Sequence, residues 1–215
     1  DVYKDETPAS SDMNVWVPSL FGEYAGEAGN WSWIHGVRVE KPSTQNWVVA
    51  PRINVKWTPH SIWDVRFNSG RGYRRVHLFT EEHAALDGSR DVLIAEGGLN
   101  PESSWNANLV LTRTLGTERW TGSASIQAFG TLFNQRIYAD YDSLPNAIVY
   151  RNIDGLGWNR GVSADVWLND VRGWQADFGA TWLRSELFES GILTGQGDPV
   201  EFTPSWTTNL RVGQM

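Results

Sequence analysis

The chain has 215 residues, a formal net charge of −7, 13 Trp and no cysteine. The missing thiols exclude disulfide frameworks, thiolate zinc sites and cysteine nucleophiles, and an acidic balance without a Lys/Arg cluster speaks against a nucleic-acid partner. No run approaches the ~20 continuous apolar residues of a membrane helix, which leaves a soluble fold or a membrane sheet whose alternating residues average out.

Residues 1–14 are polar, carry Pro8 and two serines, and read as a loop remnant ahead of a single β domain over 15–215. Strands are expected over Val15–Ala25 and Asn30–Glu40. Arg52–Trp57 alternates Ile53, Val55 and Trp57 against Arg52, Asn54 and Lys56. Trp63–Asn68 alternates in the same way, as does Trp105–Thr112 apart from Val110. A strand follows over Gly122–Phe133, then three more alternating runs at Val162–Leu168, Trp174–Trp182 and Trp206–Val212. No long segment has a comparable helical period. The sum is about nine strands, antiparallel because the connections are too short for crossovers.

Connection lengths form a second pattern. Short turns at 25–30, 58–62, 114–119 and 169–173 alternate with longer links near 40–47, 70–103, 134–147 and 185–203. Trp31, Trp57, Trp63, Trp120, Trp167 and Trp174 lie close to the short turns. Indole is apolar in body and polar at its N–H, so a membrane–water interface selects it. Trp31, Trp57, Trp63, Trp120 and Trp174 are therefore expected to form one interfacial girdle. Trp167, on the polar parity of its strand, is expected to fall out of line. A soluble β-sandwich, with one face buried and one wet, explains the alternation equally well. It leaves the one-sided loop lengths to chance.

Four stretches carry a family resemblance. Val17–Tyr24 followed by Gly36–Glu40 resembles an "F-x-E-Y … G-L-R-x-D" hairpin. Phe67–Arg74 resembles a strand end "G-x-G-F-R-A-P", departing from it at Arg74-Arg75-Val76. Leu99–Asn106 is similar to "L-K-P-E-x-S", and Tyr150–Gly155 with Arg160–Ser163 is similar to "Y-x-N … G-V-E", with Ser163 where Glu is common. In order and spacing these resemble the C-terminal half of a TonB-dependent outer-membrane receptor. The resemblance implies an all-β, antiparallel up-and-down transmembrane β-barrel segment with short periplasmic turns and long external loops. About nine strands would be part of a larger, twenty-two-stranded barrel, whose remaining strands and N-terminal plug domain lie outside this chain.

The function so implied is TonB-dependent active transport, across the outer membrane of a Gram-negative bacterium, of a scarce bulky ligand such as an iron–siderophore or a cobalamin. The expected partners are outer-membrane lipid and lipopolysaccharide, the plug and remaining strands, the TonB complex acting through the plug, and the imported ligand. No catalytic residue, cofactor or metal is expected. The rivals are a passive porin-like barrel and a soluble carbohydrate-binding β-sandwich.

Candidate ligand contacts are the aromatics assigned to external loops, Tyr73, Phe79, Tyr138 and Tyr141. His77, Glu81, Glu82 and His83 offer metal-ligand spacing on a helical turn, but read more simply as the solvated charges of a short amphipathic loop helix with Leu78, Phe79, Ala84 and Leu86 packed inward. Asp140, Asp142 and Asp154 lack the glycine-flanked pattern of a calcium loop. Glu102 is expected to cap the turn into the strand at Ser104. Arg38, Arg52, Lys56, Asp64, Arg66, Asp177 and Arg211 are expected on the lumenal face, mostly as ion pairs.

Overall fold

The computed structural model describes residues 2–3, 13–14, 16–43, 47–74, 91–94, 99–134, 136–141, 143–152, 155–188, 197–200 and 203–214. In chain order the strands are β1 (Val2–Tyr3), β2 (Met13–Asn14), β3 (Ser19–Ala28), β4 (Trp31–Glu40) and β5 (Val48–His60). Then come β6 (Trp63–Arg74), β7 (Asp91–Ile94), β8 (Glu102–Gly116), β9 (Trp120–Asn134) and β10 (Ile137–Asp140). The last five are β11 (Ala147–Asn152), β12 (Leu156–Asp170), β13 (Trp174–Phe188), β14 (Asp198–Pro199) and β15 (Trp206–Gln214).

One antiparallel sheet dominates, ordered β14-β13-β12-β9-β8-β6-β5-β4-β3, with β15 pairing β13 beside β14. Each of the nine expected strands is present in it. Its strands are longer than the alternation suggested, because pairing runs almost to the turns. Ala25–Ala28 remain hydrogen-bonded to Trp31–Ile34, so the first turn shrinks to Gly29 and Asn30. Gly29 has a φ of +57°, a left-handed conformation that glycine adopts at no steric cost. The other short turns reduce to residues 61–62, 117–119 and 171–173. As strands run up and down without a crossover, all four short turns lie at one end of the sheet and the longer links at the other.

Three features differ from the sequence reading. The first long strand begins at Ser19 rather than Val15, beyond Pro18, which has no N–H to give the ladder. Within residues 1–14, β1 and β2 pair antiparallel. The links at 70–103 and 134–147 are not purely loops: β10 and β11 form a hairpin, and β11 pairs in parallel with β7 of the earlier link.

A β-sandwich requires a second sheet packed on the first, and the buried residues do not provide one. Among the described residues the buried hydrophobics are Ala147, Ile148, Tyr150 and Phe188, three of them on β11. Leu99, Ile137 and Ala139 pack against Ile148 and Tyr150. The compact core therefore sits among the links, while the large sheet leaves big apolar side chains uncovered.

Candidate functional site

The register assigns every side chain of the large sheet to one of two faces, since directly paired residues share a face and neighbours alternate. One face carries Leu20 and Tyr24 of β3, Trp31 and Val37 of β4, Ile53, Val55 and Trp57 of β5, and Trp63, Val65 and Phe67 of β6. It continues through Trp105, Leu109 and Leu111 of β8, Ile126 and Leu132 of β9, and Val162, Val166 and Leu168 of β12. Phe178 and Trp182 of β13, with Trp206, Leu210 and Val212 of β15, complete it. Leu109, Ile126, Phe178 and Leu210 are all exposed. Such an area of contiguous exposed apolar surface needs a non-aqueous partner.

Trp31, Trp63, Trp120 and Trp174 are the first residues of β4, β6, β9 and β13, each directly after a short turn. Trp57 pairs with Trp31, and the two indoles stack with centroids 5.3 Å apart and an interplanar angle of 14°. The row through Trp57 runs by successive pairings through Val65, Leu111, Ile126 and Ala164 to Ala180. Relative to that row, Trp63 lies two residues, Trp120 six and Trp174 six residues nearer the short turns. Six residues over the five interstrand steps from β5 to β13 is roughly 20 Å along the strands against roughly 24 Å across them. A level line from Trp57 to Trp174 thus corresponds to strands tilted by about 40°, inside the ~35–45° range of outer-membrane barrels, while Trp63 and Trp120, offset by two residues per interstrand step, lie nearer the short turns than that line. Trp167 has the opposite parity, opposite Ser123 and Asp177.

The sequence reading passed over a second Trp set. Trp105, Trp158, Trp182 and Trp206 share the apolar face toward the long-link end. The signal was available within one strand: Trp174 and Trp182 are eight residues apart on one face. That spacing is roughly 27 Å of strand, or about 20 Å along the normal of a tilted sheet. Arginines sit over several of these rings, Arg113 on Trp63 and Arg119 on Trp120 at 5.4 Å, and Arg160 on Trp158 at 4.5 Å.

The other face is polar. Arg38, Arg52, Lys56, Asp64, Arg66, Asp177 and Arg211 all lie on it by register. Arg52 pairs with Glu23 and Arg38 with Glu40; Asp64 is held by Lys56 at 3.0 Å and by Arg66 at 2.6 Å. Asn54, Asn68 and Asn108 stand side by side on β5, β6 and β8. A shallow hollow on this face is lined by Glu27, Ser32, Asn54, Lys56, Arg66 and Asn68.

At the long-link end, Glu102 has a different role from the expected cap. It lies within β8, binds Arg74 of β6 at 2.9 Å, and accepts the backbone N–H of Ile137 at 2.8 Å. Asn152 clasps Asn100 in both directions, accepting its N–H at 2.7 Å and donating to its carbonyl at 3.0 Å. These contacts pin β10, β11 and β7 to the large sheet.

Of the candidate ligand aromatics, Tyr73 lies on β6 rather than in a loop, and its hydroxyl donates to Glu40. Tyr138 lies on β10 opposite Arg151, Tyr141 directly follows that strand, and both are exposed. Phe79, His77, Glu81, Glu82, His83, Asp142 and Asp154 lie outside the described residues. Asp140 is engaged by Arg151 at 3.1 Å and by Ser143. Among the described residues no group of three metal-ligating side chains converges.

Residues 2–214 match the family model described as TonB dependent receptor-like, beta-barrel. No curated protein sequence matches the chain. Among solved structures, the chain is similar to the FrpB iron transporter from Neisseria meningitidis, with a TM-score of 0.65 and 16% identity over 90% of this chain and 30% of that one. It is similar to the siderophore receptor PirA from Acinetobacter baumannii, with a TM-score of 0.67 and 14% identity over 93% of this chain and 31% of that one. It is also similar to the ferric enterobactin receptor from Pseudomonas aeruginosa, with a TM-score of 0.69 and 18% identity over 98% of this chain and 32% of that one. At these identities the likeness is one of fold, and the chain spans about a third of each of these structures.

Proposed function

The chain belongs to the TonB-dependent receptor β-barrel family, and from that premise we propose that it forms part of the wall of an outer-membrane receptor that actively imports a scarce, bulky ligand such as an iron–siderophore or a cobalamin. The observation that carries this reading is the two-faced sheet, with an exposed apolar face bounded by Trp at both ends and an ion-paired polar face behind it. The apolar face meets lipid, and the girdle formed by Trp31, Trp57, Trp63, Trp120 and Trp174 marks the periplasmic edge. The links, with Tyr138 and Tyr141, then face outward, where lipopolysaccharide and ligand are met. The polar face lines the lumen.

Strands from the rest of the receptor pair with the outer edges of β3 and β15, which a membrane sheet cannot leave open. A plug domain fills the lumen and transmits the pull of the TonB complex. The wall makes and breaks no bond. That the similar structures include siderophore receptors supports an iron–siderophore as ligand over a passively diffusing solute.

The test is uptake by the intact receptor in its own cells. Deleting its gene is expected to abolish uptake of one labelled iron–siderophore or cobalamin, and collapsing the inner-membrane proton gradient to do the same in the wild type. Uptake that persists without the gradient would establish a passive barrel instead.

A further inference from the structure

Trp57 and His60 are three residues apart on β5, yet both belong to the apolar face, because the register with β6 slips between them. In an unbroken strand His60 would have the opposite parity and lie on the polar face. The bulge re-aims it. His60 is thereby paired with Trp63 of β6, Trp63 with Arg113 of β8, and Arg113 with Ala124 of β9. An imidazole, an indole and a guanidinium thus stand in one row on the apolar face, with a small side chain beside the guanidinium.

Three arginines lie over tryptophan rings, and Arg113 differs from the other two. Arg119 has Asp170 at 3.1 Å, and Arg160 has Glu186 at 3.1 Å. Arg113, over Trp63, has no carboxylate partner among the described residues. The indole N–H of Trp63 has no acceptor there either. Ser61 Oγ lies 3.4 Å from His60 Nδ1, which leaves Nε2 to a further partner.

The line from Trp57 to Trp174 falls six residues over five interstrand steps, and Arg113, two steps from β5 and two residues nearer the short turns, lies close to it. Its guanidinium is therefore at the boundary of the hydrocarbon, with Leu111 and Leu109 on the hydrocarbon side. An uncompensated cation is costly at that boundary. The anion at hand is a lipid phosphate, which a guanidinium grips with two parallel N–H donors. The imidazole and indole N–H groups serve the remaining oxygens. The row continues from Ala124 through Val166, Phe178 and Leu210, and it holds no carboxylate to receive an ammonium. A headgroup with a net negative charge therefore fits better than a zwitterionic one.

We infer that His60, Trp63 and Arg113 bind the phosphate of an anionic phospholipid in the periplasmic leaflet, whose acyl chains lie along Leu111 and Leu109. This rests on the receptor reading, which puts the short-turn end of the sheet at the periplasm.

The test is native mass spectrometry of the intact receptor in detergent, titrated with phosphatidylglycerol or phosphatidylethanolamine. Wild type is expected to hold one phosphatidylglycerol in preference to phosphatidylethanolamine. The His60→Gln, Arg113→Gln double variant is expected to bind that lipid about tenfold more weakly, a change of the size expected when charged hydrogen bonds to phosphate are lost. Arg113→Lys keeps the charge without the fork and should fall between the two. All three side chains are at the surface, and folding of each variant is checked by its heat-modifiable mobility. Equal affinities in wild type and double variant overturn the site, as does a wild type without preference between the two lipids. Displacement by inorganic phosphate at the same concentration would make it a free-anion site, and displacement by lipid A would make it an outer-leaflet one; either overturns the assignment. A wild type that shows no heat-modifiable shift and stays monodisperse without detergent overturns the receptor reading itself.

Discussion

Arg52 reaches over Gly36 to pair with Glu23 two strands away. The three residues stand in one row across β3, β4 and β5, and the pair exists because the middle position has no side chain. A Cβ on Gly36 would stand 2.8 Å from Arg52 Nε and 3.1 Å from its Cγ. The sequence motif that places Gly36 before Val37 and Arg38 thus has a physical reason on the polar face.

Gly36→Val is expected to displace the Arg52 side chain and break the pair. Both partners are partly solvated, so the loss should be about 0.2–1 kcal/mol. A double-mutant cycle in urea unfolding of the intact barrel checks the cause: in an Arg52→Met background, Gly36→Val should cost distinctly less. Equal costs in both backgrounds would mean that Gly36 serves something other than the Glu23–Arg52 pair.

Gly161→Ala should be the more damaging glycine substitution. A Cβ there would lie 2.4 Å from the carbonyl oxygen of Trp182 and 2.5 Å from the Phe129 ring. A backbone atom cannot swing aside, so β12 and β13 must separate locally, at a cost of about 1–3 kcal/mol. Gly22→Ala, with open space around its Cβ, is the control and should stay within about 0.5 kcal/mol of wild type. Unfolding midpoints of the two variants measured side by side decide the matter.

The large sheet was legible in the sequence because period-two alternation is a local signal, readable within single runs such as Arg52–Trp57, Val162–Leu168 and Trp174–Trp182. Five tryptophans at the short-turn end of one face were picked out through their nearness to those turns. Trp105, Trp158, Trp182 and Trp206 were not, because links of variable length gave no reference point at that end. The pairing of Val149 with Leu93 was not legible either. Parallel contact between two separate links depends on tertiary packing around Ile148 and Tyr150, and no local pattern encodes it. For the same reason Glu102 read as a cap, although its partners Arg74 and Ile137 lie on other strands.

Charge placed on the apolar face should cost an amount set by depth. Leu109 of β8 is exposed in the middle of that face, whereas Trp63 stands at its short-turn end beside Arg113. Leu109→Arg is expected to destabilise the intact barrel in lipid vesicles by about 2–4 kcal/mol, and Trp63→Arg by no more than about 1 kcal/mol from the charge itself. Comparing each with the corresponding Ala variant separates charge from lost ring contact. Equal penalties at the two positions would remove the lipid assignment of this face.

The Asn100–Asn152 clasp predicts how the links behave. Asn152 supplies both an acceptor and a donor to the backbone of Asn100, so Asn152→Ala strands an N–H and a carbonyl at once. The large sheet does not depend on this contact, since β8 pairs with β6 and β9 along its length. Global unfolding of the intact receptor should therefore stay within about 0.5 kcal/mol of wild type, while amide exchange over 137–152 and 91–94 speeds up together, because β7, β10 and β11 form one sheet. Acceleration confined to 137–152 would mean that the two links open independently. Glu102→Gln tests the second anchor: a neutral amide holds Arg74 and the Ile137 N–H less strongly than the carboxylate does, so it should loosen the same residues, and both substitutions together should release them more than either alone.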